Sequence, residues 1–467
     1  MARNSKENSS KKAALDYHEF PQPGKLEIRA TKPLANQRDL SRAYSPGVAE
    51  ACLEIKEDEN TASKYTSKGN LVAVISNGTA VLGLGNIGPG ASKPVMEGKA
   101  VLFKKFANID CFDIEVDEDN PQRLAEIVSS LEPTFGAINL EDIKAPDCFE
   151  VERLCKEKMK IPVFHDDQHG TAIVVGAAAV NAIELSNRKI ENTKIVAVGA
   201  GASGIACLEM LVKLGAKREN IWLSDSKGLI TKNRSEINEE KKRFSQDSTM
   251  SNLDDVIKDC DMFLGLSGPG VLTSKMVLKM NKQPIIFALA NPDPEINPAD
   301  ALKVAPDALI ATGRSDYPNQ VNNVLCFPFI FRGALDVGAT QINDEMKLAC
   351  IHAIANLARQ TSTAETVEAY QGEILKFGKE YLIPKPFDPR LLPNVAVAVA
   401  EAAMKSGVAS RPLKDVEAYK QKLEGSVYKS TILMKPVFEA AKTSSRKIVF
   451  AEGEDERTLR TALALLE

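Results

Sequence analysis

The sequence predicts an α/β protein in which two parallel-sheet domains are followed by a helical segment. Between about residues 71 and 185, short apolar runs alternate with amphipathic stretches of helical length. A second series of the same kind follows a polar break at residues 187–192, and the chain beyond Asp344 has mostly helical periodicity as far as Lys405. Strands separated by helices of this length indicate βαβ units, which place the strands side by side in a parallel sheet.

The composition is that of a globular protein with ordinary hydrophobic cores. The chain has 467 residues, of which 44% are hydrophobic and 26% charged, so about two or three domains can each bury a core without disulfides. The net charge of -4 and the pI of about 5.9 argue against a nucleic-acid partner, because proteins that bind nucleic acids carry a patch of excess basic residues. The eight cysteines form no CxxC pair, and no apolar run is long enough to span a bilayer. Because residues 1–25 contain no apolar signal segment, we expect a cytoplasmic protein with no membrane partner.

The first series predicts a sheet domain over residues 21–168, preceded by an irregular arm over residues 1–20. Its strands are predicted at Leu71–Ser76, Ala80–Leu84, Cys111–Val116, Phe135–Leu140 and Ile161–Phe164. Its helices are predicted at Lys99–Phe106, Pro121–Leu131 and Asp147–Lys158, and a long buried helix from about Gly170 to Leu185 leads into the next domain.

The second series predicts a further domain, with helices at its end, over residues 169–410. The charged stretch Thr231–Ser251 has no periodicity and is interpreted as an exposed excursion. Residues 411–467 are interpreted as a linker, then a strand at Lys447–Phe450 and the start of a helix at Arg457–Glu467. The strands of the second domain are predicted at Ile195–Val198, Ile221–Leu223, Met262–Leu264, Ile285–Leu289 and Leu309–Ala311, with a helix at Ser203–Leu214.

A glycine-rich turn after the first strand of the second series carries the first functional signal. The run Gly199-Ala200-Gly201-Ala202-Ser203-Gly204 matches GxGxxG, follows a β-branched strand and opens a helix. Asp225 lies 21 residues after Gly204, at the end of the next strand. In this context the glycines let the backbone come close to a pyrophosphate, and the N-terminus of the helix stabilises the negative charge of the phosphates. The second domain is therefore predicted to be a Rossmann-type, doubly wound NAD(P)-binding domain.

A second GxGxxG match, Gly83-Leu84-Gly85-Asn86-Ile87-Gly88, is interpreted differently. Pro89 and Gly90 follow at once, and Ser92-Lys93-Pro94 is expected to interrupt any helix. No acidic residue ends the next strand at the required distance. We interpret this run as a glycine-rich loop that shapes a substrate cleft.

The residues after the second strand leave the choice of dinucleotide open. Asp225 could accept a hydrogen bond from the adenosine ribose 2′-hydroxyl, which favours NAD. Lys227, two residues later, could instead neutralise the 2′-phosphate of NADP.

Carboxylates follow two neighbouring strands of the first domain. Glu141 and Asp142 come directly after strand Phe135–Leu140, and Asp166 and Asp167 follow the next strand. The carboxyl ends of parallel strands converge on one crevice, where this many carboxylates repel each other unless a cation joins them. Oxygen ligands suit Mg²⁺ or Mn²⁺ rather than zinc. The alternative is that these are ordinary carboxylates at helix N-termini, where they interact favourably with the helix dipole.

Five other residues are functional candidates only in combination. A single lysine is usually a solvated surface charge, a single tyrosine usually packs, and asparagine often forms turns. None of these residue types is informative by itself. The five are Tyr44, Lys99, Asn291, Asn322 and Asn323.

Six runs along the chain resemble, in the same order, the malic enzymes. The resemblance covers about residues 16–410. It implies a metal-dependent dehydrogenase that uses NADP or NAD and converts malate to pyruvate and CO2, active as a homodimer or larger homo-oligomer. The runs are Tyr44-Ser45-Pro46-Gly47-Val48-Ala49, Pro94-Val95-Met96-Glu97-Gly98-Lys99, Asn139-Leu140-Glu141-Asp142-Ile143, Phe164-His165-Asp166-Asp167-Gln168-His169-Gly170-Thr171-Ala172, Leu289-Ala290-Asn291-Pro292 and Asn322-Asn323-Val324.

The resemblance also implies a role for each candidate residue. Lys99 would be the general base, with a pKa lowered by burial near a cation, Tyr44 would be the general acid, and Asp166 would tune Lys99. The remaining implied roles are metal ligation by Glu141, Asp142 and Asp167, malate binding by Lys99, Asn291, Asn322 and Asn323, and cofactor binding by Gly199, Ala200, Gly201, Ala202, Ser203, Gly204, Asp225, Lys227 and Asn291.

The similarity is greatest to the large bacterial hybrid type, in which a phosphate-acetyltransferase-like region follows the malic enzyme part. The run Ile448-Val449-Phe450-Ala451-Glu452-Gly453-Glu454-Asp455-Glu456-Arg457 resembles the start of that region. The hybrid type usually prefers NADP, which favours NADP here.

Two other classes of function make different demands on the sequence. A Rossmann dehydrogenase of another small acid would not need the carboxylates, so metal independence would favour it. A nucleotide-sensing module without activity would not need an intact acid and base, yet Tyr44 and Lys99 are both present.

Overall fold

A computed structural model describes residues 2–81, 83–361, 367, 370, 375–427, 449–450, 453 and 458. It confirms the predicted fold class: a parallel-sheet domain, a Rossmann-like domain and C-terminal helices. The predicted strand over residues 447–450 and the helix over 457–467 lie mostly outside the described residues. Among the described residues, no helix is long and apolar enough to cross a membrane.

The first sheet has four parallel strands in the order β2-β1-β3-β4. They are β1 (Leu71–Ser76), β2 (Asp110–Glu115), β3 (Ala137–Leu140) and β4 (Val163–His165). The strands β1, β3 and β4 are buried throughout, as expected for a parallel sheet covered by helices on both faces. The covering helices are Pro89–Ala107, Pro121–Ser130 and Asp147–Lys158.

The second sheet has six strands in the order β10-β9-β8-β5-β6-β7, and only β7 is antiparallel. The strands β6 and β8 both follow β5 in the chain but pair with opposite sides of it. Such a reversal of strand order creates the crevice where dinucleotides bind in doubly wound folds. The strands are β5 (Ile195–Val198), β6 (Ile221–Asp225), β7 (Gly228–Leu229), β8 (Met262–Gly265), β9 (Ile285–Ala288) and β10 (Leu309–Thr312).

Helices and short helical turns complete the second domain. A π-helical turn, Asp166–Gly170, runs directly into the buried helix Thr171–Leu185 that joins the two sheets. The C-terminal helix Val416–Val427 packs on Leu391–Lys405 and buries Tyr419 and Leu423 in the main core. The other helices are Ala202–Lys213, Glu239–Lys242, Leu253–Val256, Ser274–Val277, Pro298–Val304, Phe327–Asp336 and Asp344–Arg359.

An aromatic cluster ties the two domains together. Phe103 of the first domain packs edge-on against Phe327 and Phe331, with ring centroids 4.8 and 5.2 Å apart. Phe164, at the end of the first sheet, also contacts Phe331 at 5.6 Å. These rings are fully buried and belong to one hydrophobic core that the two domains share.

Two predictions next to the glycine-rich loop were wrong. The described residues of the range 80–84 form no strand apart from an isolated bridge between Val81 and Gly85. The helix predicted at Lys99–Phe106 begins at Pro89 and passes through Pro94. Pro94 lies close to the start of this helix, so it removes one backbone hydrogen bond without breaking the longer part that follows.

Two predictions of irregular structure were also wrong. The segment Thr231–Ser251 is not simply an exposed excursion, because Phe244 is buried in the core and Thr231 pairs with Gln246. The N-terminal arm is helical over Ala2–Glu19. The next helices, Gln37–Ala43 and Val48–Glu57, contain no buried residue.

Candidate functional site

Three carboxylates meet at the carboxyl ends of β3 and β4. One oxygen each from Glu141, Asp142 and Asp167 lies within 4.8 Å of the others. Asp142 has a left-handed backbone (φ 53°), and its N–H donates to Oδ2 of Asp167 at 2.8 Å. Asn139, on β3, donates from Nδ2 to Oε2 of Glu141 at 2.8 Å. We call Glu141, Asp142 and Asp167 the carboxylate cluster.

The carboxylate cluster is electrostatically incomplete. Burial raises the pKa of Asp142 to about 8, and the negative charge of Asp167 adds to this effect. Burial likewise raises the pKa of Glu141 well above its usual range, although Lys99 opposes the shift. Oδ2 of Asp142 is buried without a hydrogen-bond partner among the described residues. Oxygen ligands, mutual repulsion and an unpaired buried oxygen fit a divalent cation, which would remove the repulsion.

Lys99 lies beside the carboxylate cluster. Its Nζ is 2.7 Å from Oδ2 of Asp166 and 2.9 Å from Oε1 of Glu141, and it lies 4.2 Å from the centroid of the Phe327 ring. The expectation of a lowered pKa is wrong for these contacts. Burial by itself lowers the pKa of Lys99, but the two carboxylates outweigh burial and raise it above the ordinary value.

The π-helical turn that carries Asp166 and Asp167 is held from three sides. Nδ2 of Asn323 donates to Oδ2 of Asp166 at 3.0 Å. Oγ of Ser203, at the start of the helix after the glycine-rich turn, donates to the carbonyl of Asp167 at 2.7 Å. Buried Glu152 lies 2.8 Å from Nε2 of His169 and accepts from the backbone N–H of His165 at 3.3 Å. The dinucleotide turn and the carboxylate cluster are therefore joined by a direct hydrogen bond.

The other predicted site residues lie in different surroundings. Asn323 contacts Asp166, whereas the side chain of Asn322 caps its own helical turn by accepting from the N–H of Val324. Asn291 is exposed, and its carbonyl oxygen lies 3.2 Å from the position that a Cβ on Gly83 would occupy. The loop Gly83–Gly88 thus borders the strand end that carries Asn291. Tyr44 is 71% exposed, at the end of a helix without buried residues.

The Gly199–Gly204 turn has the shape that its motif predicts. Gly199 has a φ of +107°, and a Cβ there would lie 2.2 Å from the carbonyl oxygen of Leu266. A Cβ on Gly204 would lie 1.9 Å from the carbonyl oxygen of Gly199, so only glycine permits this helix to start so close to β5. Beside the turn is a cleft of about 510 Å³, lined by Val198, Gly199, Ala200, Gly201, Asp225, Ser226, Lys241, Ser267 and Val271.

Asp225 borders this cleft and is paired with two cationic side chains. Nη1 of Arg234 is 2.9 Å from Oδ1 of Asp225, and Nζ of Lys241 is 2.9 Å from Oδ2. Burial alone would raise the pKa of Asp225, but hydrogen bonds from Arg234 and Lys241 lower it to about 2. Nζ of Lys227 instead contacts Glu236 at 2.6 Å, on exposed surface. We call Asp225, Arg234 and Lys241 the basic cluster.

Sequence reasoning did not identify several of these residues. Arg234 and Lys241 lie in the charged stretch that was interpreted as exposed, and only their distance from Asp225 in space distinguishes them from other surface cations. The contacts of Glu152 with His165 and His169 depend on tertiary packing, whereas Asn139 bonds to Glu141 only two residues further along the chain. For Ser203, the motif indicated a position near the cofactor but not its bond to Asp167.

Comparisons with known proteins agree with this geometry. The family model for the malic enzyme N-terminal domain matches residues 23–126, and the model for the malic enzyme NAD binding domain matches residues 168–370. An NAD-dependent malic enzyme of Rhizobium meliloti is 60% identical over 456 residues, covering 97% of this chain and 59% of the relative. An NADP-dependent malic enzyme of Escherichia coli is 58% identical over 458 residues, covering 98% of this chain and 60% of the relative.

A solved structure extends the comparison to the fold. The crystal structure of malic enzyme from Pyrococcus horikoshii has a TM-score of 0.81 and 41% sequence identity, and the match covers 91% of this chain and 97% of that one. The two bacterial relatives are longer, since this chain spans only about three fifths of their length. Identity of this level over almost the whole of the solved chain places the sequence in a family: the chain belongs to the malic enzymes.

Proposed function

We propose that this chain oxidises and decarboxylates (S)-malate to pyruvate and CO2 while reducing NADP to NADPH, with Mg²⁺ or Mn²⁺ bound. The observation that carries the proposal is the carboxylate cluster beside Lys99, joined to the dinucleotide turn by the 2.7 Å bond from Ser203 to Asp167. A site for a cation, a proton carrier and a dinucleotide cleft are thus adjacent, as this reaction requires.

Glu141, Asp142 and Asp167 are the proposed metal ligands. When bound, the cation would draw charge from the C2 oxygen of malate, and NADP would accept the hydride from C2. Lys99 takes the proton of the C2 hydroxyl group. Glu141 and Asp166 are the two carboxylates that stabilise the protonated form of Lys99. A cation bound to Glu141 would compete with one of these two interactions. Asp166 orients Lys99 within the cleft. Malate is bound by Lys99 together with Asn291, Asn322 and Asn323, and Asn291 also contacts the cofactor.

Tyr44 is the proposed general acid, which returns a proton to C3 after CO2 has left. It lies on a helix that buries none of its side chains in this chain, and Leu40 and Val48 beside it are also exposed. Exposed apolar side chains on two consecutive helices support a homodimer or larger homo-oligomer in which a second copy covers them.

Four further assignments belong to the proposal. NADP is favoured over NAD, and the cytoplasm is the proposed location. The residue ranges 21–168 and 169–410 are the proposed domains. Residues 411–467 are proposed to contain a linker and the start of a phosphate-acetyltransferase-like region of the hybrid type.

Product analysis tests the function. Purified protein is incubated with malate, NADP and Mn²⁺, and NADPH, pyruvate and oxaloacetate are measured together. Equal amounts of NADPH and pyruvate, and complete loss of both on chelation, are expected. Accumulated oxaloacetate without pyruvate, or a rate that chelation leaves unchanged, would favour a metal-independent dehydrogenase. Nucleotide binding without turnover would favour the nucleotide-sensing alternative.

A further inference from the structure

The Asp225 carboxylate is fully occupied by donors from the protein. Its Oδ1 accepts from Nη1 of Arg234 and from the backbone N–H of Lys227, both at 2.9 Å. Its Oδ2 accepts from Nη2 of Arg234 at 3.2 Å and from Nζ of Lys241 at 2.9 Å. A carboxylate offers about four acceptor positions, so these four donors leave no free one for a ribose hydroxyl. The acidic residue that would indicate NAD in this fold is therefore not available for that role.

The two cations keep donors that Asp225 does not use. An ammonium group has three N–H donors, and Nζ of Lys241 directs one to Asp225. Nη2 of Arg234 also makes a single hydrogen bond among the described residues. Both side chains retain solvent contact, at 18% for Arg234 and 24% for Lys241. With two cations and one carboxylate, the basic cluster carries excess positive charge, and its members Asp225 and Lys241 line the dinucleotide cleft.

We propose that Arg234 and Lys241, oriented by Asp225, bind the 2′-phosphate of NADP and make this chain NADP-selective. The inference rests on the proposed use of a nicotinamide dinucleotide and names the residues that select between its two forms. Asp225 acts as a positioning residue, because it holds the two cations at the cleft and does not itself contact the ribose. Lys241 and Ser226 line the cleft directly, so the phosphate contact is assigned first to Lys241.

Lys227, which the sequence suggested as the ligand of the 2′-phosphate, is engaged differently from Arg234 and Lys241. Lys227 contributes its backbone N–H to Asp225, but its ammonium group pairs with Glu236 at 2.6 Å. Overall similarity does not decide the cofactor, since the relatives named NAD-dependent and NADP-dependent are 60% and 58% identical to this chain.

Two adenosine ligands that differ only in the 2′-phosphate test the proposal without turnover. Binding of adenosine 2′,5′-bisphosphate and of 5′-AMP to the full chain is measured by calorimetry. The native protein is expected to bind the bisphosphate at least about tenfold more tightly. Lys241→Gln should weaken bisphosphate binding roughly 10- to 100-fold and change AMP binding less than about threefold, because only the phosphate contact is lost.

Lys242→Gln is the matched control. Lys242 lies on the same short helix, but it is exposed and pairs with Glu239, away from the cleft lining. Both ligands should bind this variant as they bind the native protein. Arg234→Gln is a second test, interpreted only if its melting temperature is retained, because Arg234 also donates to the carbonyls of Gly228 and Leu229.

The proposal is overturned if the native protein binds the two ligands equally, or if Lys241→Gln matches Lys242→Gln. Neither ligand contains nicotinamide and no malate is present, so a failure of malate oxidation leaves this test intact. Conversely, malate oxidation with NAD, together with weak binding of the bisphosphate, would retain the proposed reaction and remove only the NADP selectivity.

Discussion

The carboxylate cluster and the basic cluster are unbalanced in opposite directions. In the first, Glu141, Asp142 and Asp167 meet, Lys99 is the one lysine or arginine paired with any of them among the described residues, and burial raises the pKa values of Glu141 and Asp142. In the second, two cations share the single carboxylate of Asp225, and its pKa falls to about 2. The first arrangement suits a cation, and the second suits an anion.

The two clusters also differ in how completely their polar atoms are paired. Oδ2 of Asp142 is buried and has no hydrogen-bond partner in the described part of the chain, whereas both oxygens of Asp225 are saturated. In the carboxylate cluster the unused capacity is on acceptors, and in the basic cluster it is on donors. At each cluster, charge and hydrogen-bonding capacity therefore agree. Both indicate a cation at the carboxylate cluster and an anion at the basic cluster.

Replacing Lys99 tests whether its role goes beyond charge. Lys99→Arg keeps a cation beside Asp166 and Glu141, but a guanidinium group cannot give up its proton in a protein. Loss of a general base typically lowers the rate by about 10²- to 10⁴-fold, and we expect a loss in this range, measured as initial rate with saturating Mn²⁺.

Lys105→Ala is the control for Lys99, since Lys105 is an exposed lysine on the same helix. Its rate should equal that of the native chain. If Lys99→Arg retained most of the activity, Lys99 would be a charge partner of the carboxylates and another group would take the proton.

Removing one charge from the carboxylate cluster should weaken metal binding. Because even groups that only support a metal ligand typically contribute 10- to 100-fold to affinity, Asp142→Asn should raise the Mn²⁺ dissociation constant at least about 100-fold. Asp147→Asn is the control, because Asp147 pairs with Lys144 and lies outside the cluster. Equal Mn²⁺ affinity in the two variants would show that Asp142 is not a metal ligand.

The stability of the chelator-treated protein should depend on pH through Asp142. Its pKa is about 8 in the folded chain and 3.8 ordinarily, so the folded state binds more protons between these values. The free energy of unfolding therefore falls as the pH rises through that window. Melting temperatures of the chelated protein should decrease between about pH 5 and 8, and Asp142→Asn should flatten the decrease.

The same melting curves with saturating Mn²⁺ complete this test. A bound cation favours ionised carboxylates, so the decrease toward pH 8 should shrink or reverse. An identical pH profile with and without Mn²⁺ would show that the cluster does not bind the ion in the folded protein.

The smallest expected effect concerns Lys227. Because its ammonium group is occupied by Glu236 on exposed surface, Lys227→Gln should change binding of adenosine 2′,5′-bisphosphate less than about threefold, the scale of an exposed ion pair. A loss of affinity as large as that expected for Lys241→Gln would show that Lys227 binds the 2′-phosphate. The basic cluster would then not be the anion site.

Local sequence patterns predicted those parts of the molecule that depend on local geometry. The strand Leu71–Ser76 and the helix Asp147–Lys158 have the predicted bounds, because apolar periodicity and flanking polar residues define them. The carboxylates after β3 and β4 could be grouped from sequence, since the carboxyl ends of neighbouring parallel strands lie at one edge of the sheet. The dinucleotide turn could be recognised because its glycines are required by contacts within the motif.

Features that depend on packing could not be predicted in this way. Arg234 and Lys241 lie 9 and 16 residues beyond Asp225, in a stretch with no periodicity. The helix through Pro94 continues because packing on the sheet outweighs one lost hydrogen bond. The raised pKa of Lys99 follows from two carboxylates that are 42 and 67 residues away in the sequence.

A crystal structure of the chain with Mn²⁺ and NADP, with the metal located by its anomalous scattering, tests the central contrast most directly. We predict one Mn²⁺ ligated by Glu141, Asp142 and Asp167, and the 2′-phosphate in contact with Lys241 and Arg234. A metal ion bound elsewhere, or a 2′-phosphate that contacts neither cation, would contradict this prediction.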